Sequence, residues 1–229
     1  MVIKNRMIKT EYIAPISLWV VVRRRILKTG LFIEPAWTGT MGEDMTGPII
    51  FASRVLAHSY ARLRNKYHRP DDSNNWKAIP LQEFDLLAHA HGVDGPLHCM
   101  LTLGLSMATP TAVVCKGGAP RIRCVPLSYD IPKGLGDITF SFNQWVFDFM
   151  REEWASLGLH NYEKELEATD ELSDTDFERL MQAAIARLDV CQEPLSSAGL
   201  WAVFSTHQEV WVSANEDPDI QRPKQHALH

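Results

Sequence analysis

IPLQEFDLLAHAHGVDGPLHCMLTLGL, residues 79–105, decides the fold because it joins a short strand, an amphipathic segment and a second strand. Apolar residues at positions 81, 84, 87 and 88 recur at the spacing of one helical face, which predicts a helix over residues 81–91 that ends at Gly92. The continuous apolar run at 97–105 is typical of a buried strand. We therefore expect a strand–helix–strand unit at the centre of the fold.

The segments before and after this unit also show strand and helix patterns. Apolar and β-branched runs predict strands at residues 13–22, 26–33, 49–51, 76–79, 111–115 and 122–127. A helix is predicted from Ala52 to a stop at Pro70, and residues 34–48, which are rich in Gly and Pro, are expected to form a loop. This order predicts an α+β or α/β protein with a mixed central sheet of about five to seven strands flanked by helices.

The C-terminal part is predicted to be more helical. Amphipathic spacing indicates helices at residues 142–157 and 173–188, and two short apolar runs at 200–205 and 210–214 indicate a closing β-hairpin. We therefore expect an α/β domain at residues 1–130 and a helical part with the hairpin at 131–215, either packed together as one domain or separate. Residues 216–229 have no apolar periodicity and are expected to form a flexible tail.

Composition limits the class of protein and its compartment. The chain has 229 residues, 45% of them hydrophobic, and a net charge of -5, which is typical of an ordinary globular protein and too mild to imply a nucleic-acid partner. Its four cysteines form no CxxC pair, as expected for reduced thiols in the cytoplasm. The apolar run at 13–22 is too short to span a bilayer, so no membrane partner is expected.

The central segment also contains the densest group of candidate reactive side chains: His89, His91, Asp94, His98 and Cys99. The three histidines and Asp94 are the ligand types of a zinc or iron site, so a metal-dependent hydrolase is one alternative function. In a helix, however, residues two apart point roughly 200° away from each other, which separates His89 from His91. His98 and Cys99 are neighbours on a predicted strand and point to opposite faces, which disfavours an activated thiol.

A second alternative concerns the basic side of the helix predicted after Ala52. Arginine and lysine gather there without a carboxylate between positions 54 and 70, at Arg54, Arg62, Arg64, Lys66 and Arg69. Such a face can hold a phosphate or a nucleic acid. A solvated helix face is the simpler interpretation, because no Gly-rich phosphate loop accompanies it.

Charge is distributed unevenly along the chain. Residues 152–178 contain ten carboxylates against the single base Lys164, on what is predicted to be a linker and a helix start. An acidic surface of this kind speeds the capture of a basic partner. The candidate partner-binding residues are the acidic group and one aromatic anchor in the loop at 34–48: Glu163, Glu165, Glu167, Asp170, Glu171, Asp174, Asp176 and Trp37.

Three stretches carry a family resemblance: LWVVV at 18–22, PIIFASRVLAHSYARL at 48–63, and WKAIPLQEFDLLAHAHGVDGPLHCML at 76–101. Their order resembles that of the SseB-type domain over residues 16–127. The resemblance implies a non-catalytic bacterial module of the kind found in secretion-system accessories and in immunity proteins that block a cognate toxin. Together with the acidic segment, it favours a cytoplasmic protein-binding module, without a cofactor, that inhibits a basic toxin or effector.

Overall fold

The computed structural model describes residues 10–28, 30–39, 45–67, 75–89, 96–131, 138–192 and 199–215. Within these ranges it contains fourteen strands and four α-helices. The strands are β1 (Thr10–Ile13), β2 (Trp19–Leu27), β3 (Gly30–Pro35), β4 (Trp37–Gly39), β5 (Thr46–Phe51), β6 (Lys77–Pro80), β7 (Leu97–Thr109), β8 (Ala112–Lys116), β9 (Ala119–Pro120), β10 (Ile122–Tyr129), β11 (Ile138–Ser141), β12 (Asp189–Gln192), β13 (Leu200–Ser205) and β14 (Val210–Asn215). The helices are α1 (Arg54–Tyr67), α2 (Gln144–Ser156), α3 (Tyr162–Asp170) and α4 (Asp174–Ala186).

Strand β7 is the centre of the sheet. Its first half pairs in parallel with β5 on one edge and antiparallel with β10 on the other. Its second half pairs with β13 and β8, so the closing hairpin β13–β14 joins the same sheet as the N-terminal strands. Both edges of β7 are paired, and its side chains form a nearly continuous buried run, as the sequence pattern predicted for a strand that is covered on both faces.

The rest of the sheet extends from β5 and β8. Strand β2 pairs with β5 and β3 along one edge and with β6 along the other, and β12 lies in parallel beside β8. Strands β1 and β11 form a separate parallel pair. The mixed sheet and its helices confirm the α+β prediction. The sheet has more strands than predicted, because elements as short as β4, β9 and β12 show too few alternations to be read from sequence.

Several predicted boundaries are wrong in detail. The predicted strand at 13–22 is divided, since β1 ends at Ile13 and β2 begins at Trp19, with Pro15 between them. The predicted strand at 26–33 is the tip of a hairpin, in which Leu27 pairs with Gly30. The predicted loop at 34–48 contains β4, which pairs with the start of β5.

The helix predicted at 81–91 is also wrong. The described part of that segment holds two single 3₁₀ turns, Leu81–Glu83 and Leu87–His89. Between them the Asp85 side chain accepts hydrogen bonds from the backbone N–H groups of Leu87 (3.0 Å) and Ala88 (3.3 Å). An aspartate that binds the backbone in this way competes with helix formation, so the apolar spacing of three continues without an α-helix.

The other predicted helices are present and have identifiable ends. Helix α4 begins at the Ser173 cap, whose Oγ accepts from the Asp176 N–H at 3.2 Å, and helix α2 is capped by the Asn143 side chain. Gly158, with a φ of 80°, follows the end of α2, as predicted from its left-handed preference. None of the described helices is long and apolar enough to cross a membrane.

The sheet and helices α1, α2 and α3 share one large hydrophobic core, and α4 packs mainly in a second cluster with Val55 and Phe204. The large core contains residues from both predicted parts of the chain, including Leu101 of β7, Trp154 of α2 and Tyr162 of α3. Arg123 of β10 and Glu153 of α2 form a buried ion pair at 2.8 Å, with the Arg123 guanidinium 4.9 Å from the Trp201 ring centroid. These contacts hold α2 on the sheet and place the acidic segment that follows it.

Candidate protein-binding surface

The acidic segment that was predicted to be a linker is helical, which corrects that prediction. Tyr162, Leu166 and Thr169 form a narrow buried stripe along α3, and the Tyr162 hydroxyl donates to the Phe204 carbonyl at 3.0 Å. Most other positions of α3 are polar. The signal that could have identified this helix is the three-and-four spacing of its buried stripe, but three residues are a weak pattern.

Glu165 points inward and supports the fold. Its Oε2 accepts hydrogen bonds from the Ser205 hydroxyl (3.0 Å) and from the backbone N–H groups of Thr206 (2.9 Å) and His207 (3.3 Å). The carboxylate thus satisfies the donors of the β13–β14 turn, an anchoring role that would be lost if it turned toward a partner. The structure therefore does not place Glu165 on an accessible surface with the other candidates.

Asp170 is also half-buried. Burial raises the pKa of its carboxyl, although a hydrogen bond from Ser17 and the charge of Arg54 act in the opposite direction. Asp174 and Asp176 belong to the first turn of α4, where carboxylates favour the positive end of the helix dipole. Asp176 also accepts from the Ser173 hydroxyl at 2.7 Å and from Arg179 at 3.0 Å. These residues serve local structure first.

Three of the candidates do share one outward side of α3. Glu163, Glu167 and the C-cap residue Glu171 are spaced four apart, and Glu167 and Glu171 are exposed. Glu163 binds Arg151 of α2 at 2.9 Å. This ion pair brings the glutamate stripe beside α2.

Helix α2 contributes acidic residues to the same surface. Asp148 and Glu152 lie on its exposed side, and Asp148 also contacts Arg151. We call the surface formed by Asp148, Glu152, Glu163, Glu167 and Glu171 the acidic face. Arg151 is the one basic residue that binds two of these carboxylates in the described structure, so the face keeps a net negative charge.

An exposed tryptophan lies at the start of the same helix. Trp145 is 36% exposed, on the outward side of α2 with Asp148 and Glu152. The amphipathic spacing that predicts the helix at 142–157 includes Trp145 among its apolar positions, but Val146 and Phe147 are the buried residues at this point of α2 and Trp145 is exposed. Trp37 is 41% exposed as well, but it lies in β4 beside β5, on a different element from the acidic face.

An open groove of about 780 Å³ lies on the other side of α3, between α3, α4 and the turn that joins β13 to β14. Leu159, Ala168 and Leu180 contribute apolar surface to it. Lys164, Arg179 and Asp176 are among its charged residues. Because both charges surround the groove, it offers less selectivity for a charged partner than the acidic face does.

The basic side of α1 is largely occupied by contacts within the protein. The Arg54 guanidinium lies 3.8 Å from the Phe177 ring centroid, and its Nη1 donates to the carbonyls of Thr169 (3.3 Å) and Leu172 (3.4 Å). Arg62 pairs with Glu178 of α4. The Arg64 guanidinium lies 3.8 Å from the ring centroid of Trp76. Arg69 is outside the described residues. These contacts do not favour a free phosphate-binding face, although Lys66 is exposed.

The candidate metal residues are only partly described. His91 and Asp94, like the side chain of His89, lie outside the described residues, and His98 Nδ1 makes a hydrogen bond of 2.8 Å with the Ser128 hydroxyl. No group of three or more His, Cys, Asp or Glu in metal-binding geometry is found within the described ranges. Cys99 is buried, and burial raises the pKa of its thiol to about 12. A thiol with that pKa is a poor nucleophile at neutral pH.

No protein-family model, no curated protein and no solved structure matches this chain. The resemblance to SseB-type domains therefore stays a prediction from the sequence.

Proposed function

We propose that the protein is a non-catalytic protein-binding module that captures a basic partner on the acidic face of α2 and α3. The observation that carries this proposal is the set of five carboxylates on α2 and α3, of which Arg151 binds two, together with the exposed ring of Trp145 on the same side of α2 as Asp148 and Glu152. Tryptophan is enriched among residues that dominate binding energy, and a charged rim accelerates association. The face thus supplies both an anchor and long-range attraction.

The acidic face is also costly to the isolated protein. Glu163, Glu167 and Glu171 place like charges four residues apart twice along α3, and Asp148 and Glu152 do so on α2. Each such pair destabilises a helix by about 0.2–0.5 kcal/mol. The hydrogen bonds that Glu165 accepts within the protein offset the destabilisation that its charge causes. Glu167 and Glu171 would have their repulsion relieved by a partner of complementary charge.

The partner that fits this face is a basic toxin or effector, which makes the protein an immunity protein or a secretion accessory. The resemblance to SseB-type domains favours the same two functions. Four free cysteines, of which Cys99 and Cys115 are buried, are compatible with a reducing, cytoplasmic compartment. In this function no residue performs chemistry on a substrate.

Charge reversal tests the proposal. The double variant Glu167→Lys with Glu171→Lys leaves the Glu163–Arg151 ion pair in place, and the matched control Glu11→Lys with Glu83→Lys makes the same charge change at exposed sites on other elements. We expect the wild type and the control to capture the same protein from lysate of the native host. The acidic-face variant should release it, and the association rate of the isolated complex should fall as salt rises.

Capture that is equal for all three proteins would overturn the proposal. Expression of the captured protein then separates the two biological functions. If it is toxic and the wild type restores growth while the acidic-face variant does not, the protein is an immunity protein. If it is harmless, the secretion-accessory function is favoured.

A further inference from the structure

The outer half of the β2–β3 hairpin exposes an unusual amount of apolar surface. Ile26 is 84% exposed, Leu31 65% and Ile33 40%. Ile26 pairs directly with Leu31, and Ile33 pairs with Arg24 two residues along, so all of these side chains lie on one side of the ribbon. Isolated exposed apolar residues are common, but a contiguous set on one face indicates an interaction surface.

The backbone of this half-hairpin is also available for pairing. Among the described strands, β3 pairs with β2 alone, and β2 beyond Val22 pairs with β3 alone. The N–H of Ala36 donates to the Val21 carbonyl at 2.7 Å, toward β2. Since successive residues of a strand alternate in direction, the N–H and C=O groups of Leu31 and Ile33 point away from β2. They form an open edge that a further strand can join.

The charges around this edge are basic. Glu34 is compensated, because Arg23 binds it at 2.8 Å and Arg25 at 3.4 Å. Partial burial alone would raise the pKa of Glu34, but these two arginines outweigh that effect and lower it. Arg24 and Lys28 are exposed, and neither pairs with a carboxylate of the described structure. The open edge therefore carries uncompensated positive charge beside its apolar residues.

We propose that an extended acidic segment of a partner protein binds here as an additional strand along β3. Its backbone would bond to Leu31 and Ile33, its apolar side chains would cover those of Ile26 and Leu31, and its carboxylates would pair with Arg24 and Lys28. Backbone bonds supply affinity and side chains supply specificity in this mode of recognition. A second copy of the chain fits less well, because it would bring the same basic residues together.

This site has the opposite charge preference to the acidic face, so it can be tested independently. The probe is a short synthetic peptide in which every second residue is alternately valine or glutamate, with threonine at the positions between them. Both kinds of side chain then lie on the face of Arg24, Ile26 and Leu31, and binding is measured by fluorescence anisotropy. Two peptide controls are the lysine–valine counterpart and a glutamate–valine peptide that is N-methylated at alternate residues, which removes the strand hydrogen bonds but keeps the charges. The protein variant is Arg24→Glu with Lys28→Glu, and its matched control is Lys164→Glu with Arg179→Glu, which makes the same charge change on α3 and α4.

We expect the acidic peptide to bind the wild type and the control with a Kd below about 1 mM, and the hairpin variant at least about tenfold more weakly. The lysine and N-methylated peptides should bind at least about tenfold more weakly than the acidic peptide. Equal binding of the N-methylated peptide would overturn strand addition. If the acidic peptide does not bind at about 1 mM, the proposed site is wrong. This holds even if anionic vesicles or a second copy of the chain bind the hairpin instead, which is shown by binding that Leu31→Asp abolishes.

Discussion

His58 allows a quantitative prediction about stability. Its ring lies on α1 between two aromatic side chains, with centroid distances of 4.7 Å to Phe177 and 6.0 Å to Trp19. The pKa of His58 is lowered to about 4, mainly by burial and in smaller part by the charges of Arg54 and Arg62, which outweigh the opposite effect of Glu178. His58 is therefore neutral in the folded protein at pH 7, where it is packed against α4.

The linked change in stability follows from the difference between folded and unfolded pKa values. Between pH 6.5 and about 4 the unfolded chain protonates His58 while the folded protein does not, so stability falls as pH falls through this window. For these two pKa values the loss is about 2 kcal/mol at pH 5 and approaches about 3 kcal/mol below pH 4. Above pH 6.5 the contribution of His58 to the pH dependence disappears.

The assay compares the wild type with His58→Gln by urea unfolding at pH 7.0 and pH 5.0. Other titrating groups are present in both proteins, so the difference between their free energies of unfolding isolates His58. We expect the wild type to lose about 2 kcal/mol more than the variant between these two conditions. A difference that stays constant within about 0.5 kcal/mol would show that His58 is accessible to protons in the folded state.

Three further predictions follow from the described contacts. Glu167→Lys should stabilise the isolated protein by about 0.5–1 kcal/mol in urea unfolding, because it replaces two like-charge pairs of the acidic face with opposite-charge pairs. An unchanged unfolding midpoint would contradict the inference that the acidic face destabilises the isolated protein. Gly104→Ala should destabilise by about 2–4 kcal/mol, since its Cβ would lie 2.5 Å from the Ala202 carbonyl oxygen, whereas Gly199→Ala has open space and should change stability by under about 0.5 kcal/mol. The Cys99 thiol should resist iodoacetamide at pH 8 until denaturant is added, because its pKa is raised to about 12, and mass spectrometry would detect any earlier modification.

The sequence predicted the elements whose signals are local. Helix α1 shows three-and-four spacing over several turns, and Val55, Leu56, Tyr60 and Leu63 are buried as that spacing requires. The cap of α4 at Ser173 was predictable for the same reason, since its partner lies only three residues away. Long apolar stripes and caps therefore predict structure without knowledge of the rest of the fold.

The segment at 79–105 shows where local signals fail. Its apolar spacing is equally compatible with single 3₁₀ turns, which Asp85 favours locally and a distant residue stabilises further. The Tyr12 hydroxyl donates to the Phe84 carbonyl at 2.7 Å and accepts from the Leu86 N–H at 2.9 Å, which satisfies backbone groups that a helix would use internally. Because Tyr12 lies 72 residues from Phe84, no local pattern contains this information.

The acidic segment was predicted by its charge but not by the roles of its residues. Sequence alone does not distinguish Glu165 from Glu167 within this run of carboxylates. Glu165 binds the turn after β13, some 40 residues away, whereas Glu167 is exposed. The same holds for α1. The charge of Arg54 alone suggested a phosphate site, but its guanidinium donates hydrogen bonds to the carbonyls at the C-terminal end of α3. Once these internal partners are assigned, the carboxylates of the acidic segment that remain exposed on α2 and α3 are Glu152, Glu167 and Glu171. Since each internally bonded residue is excluded by a specific contact, any partner that depends on Glu165 or Arg54 would first have to break that contact.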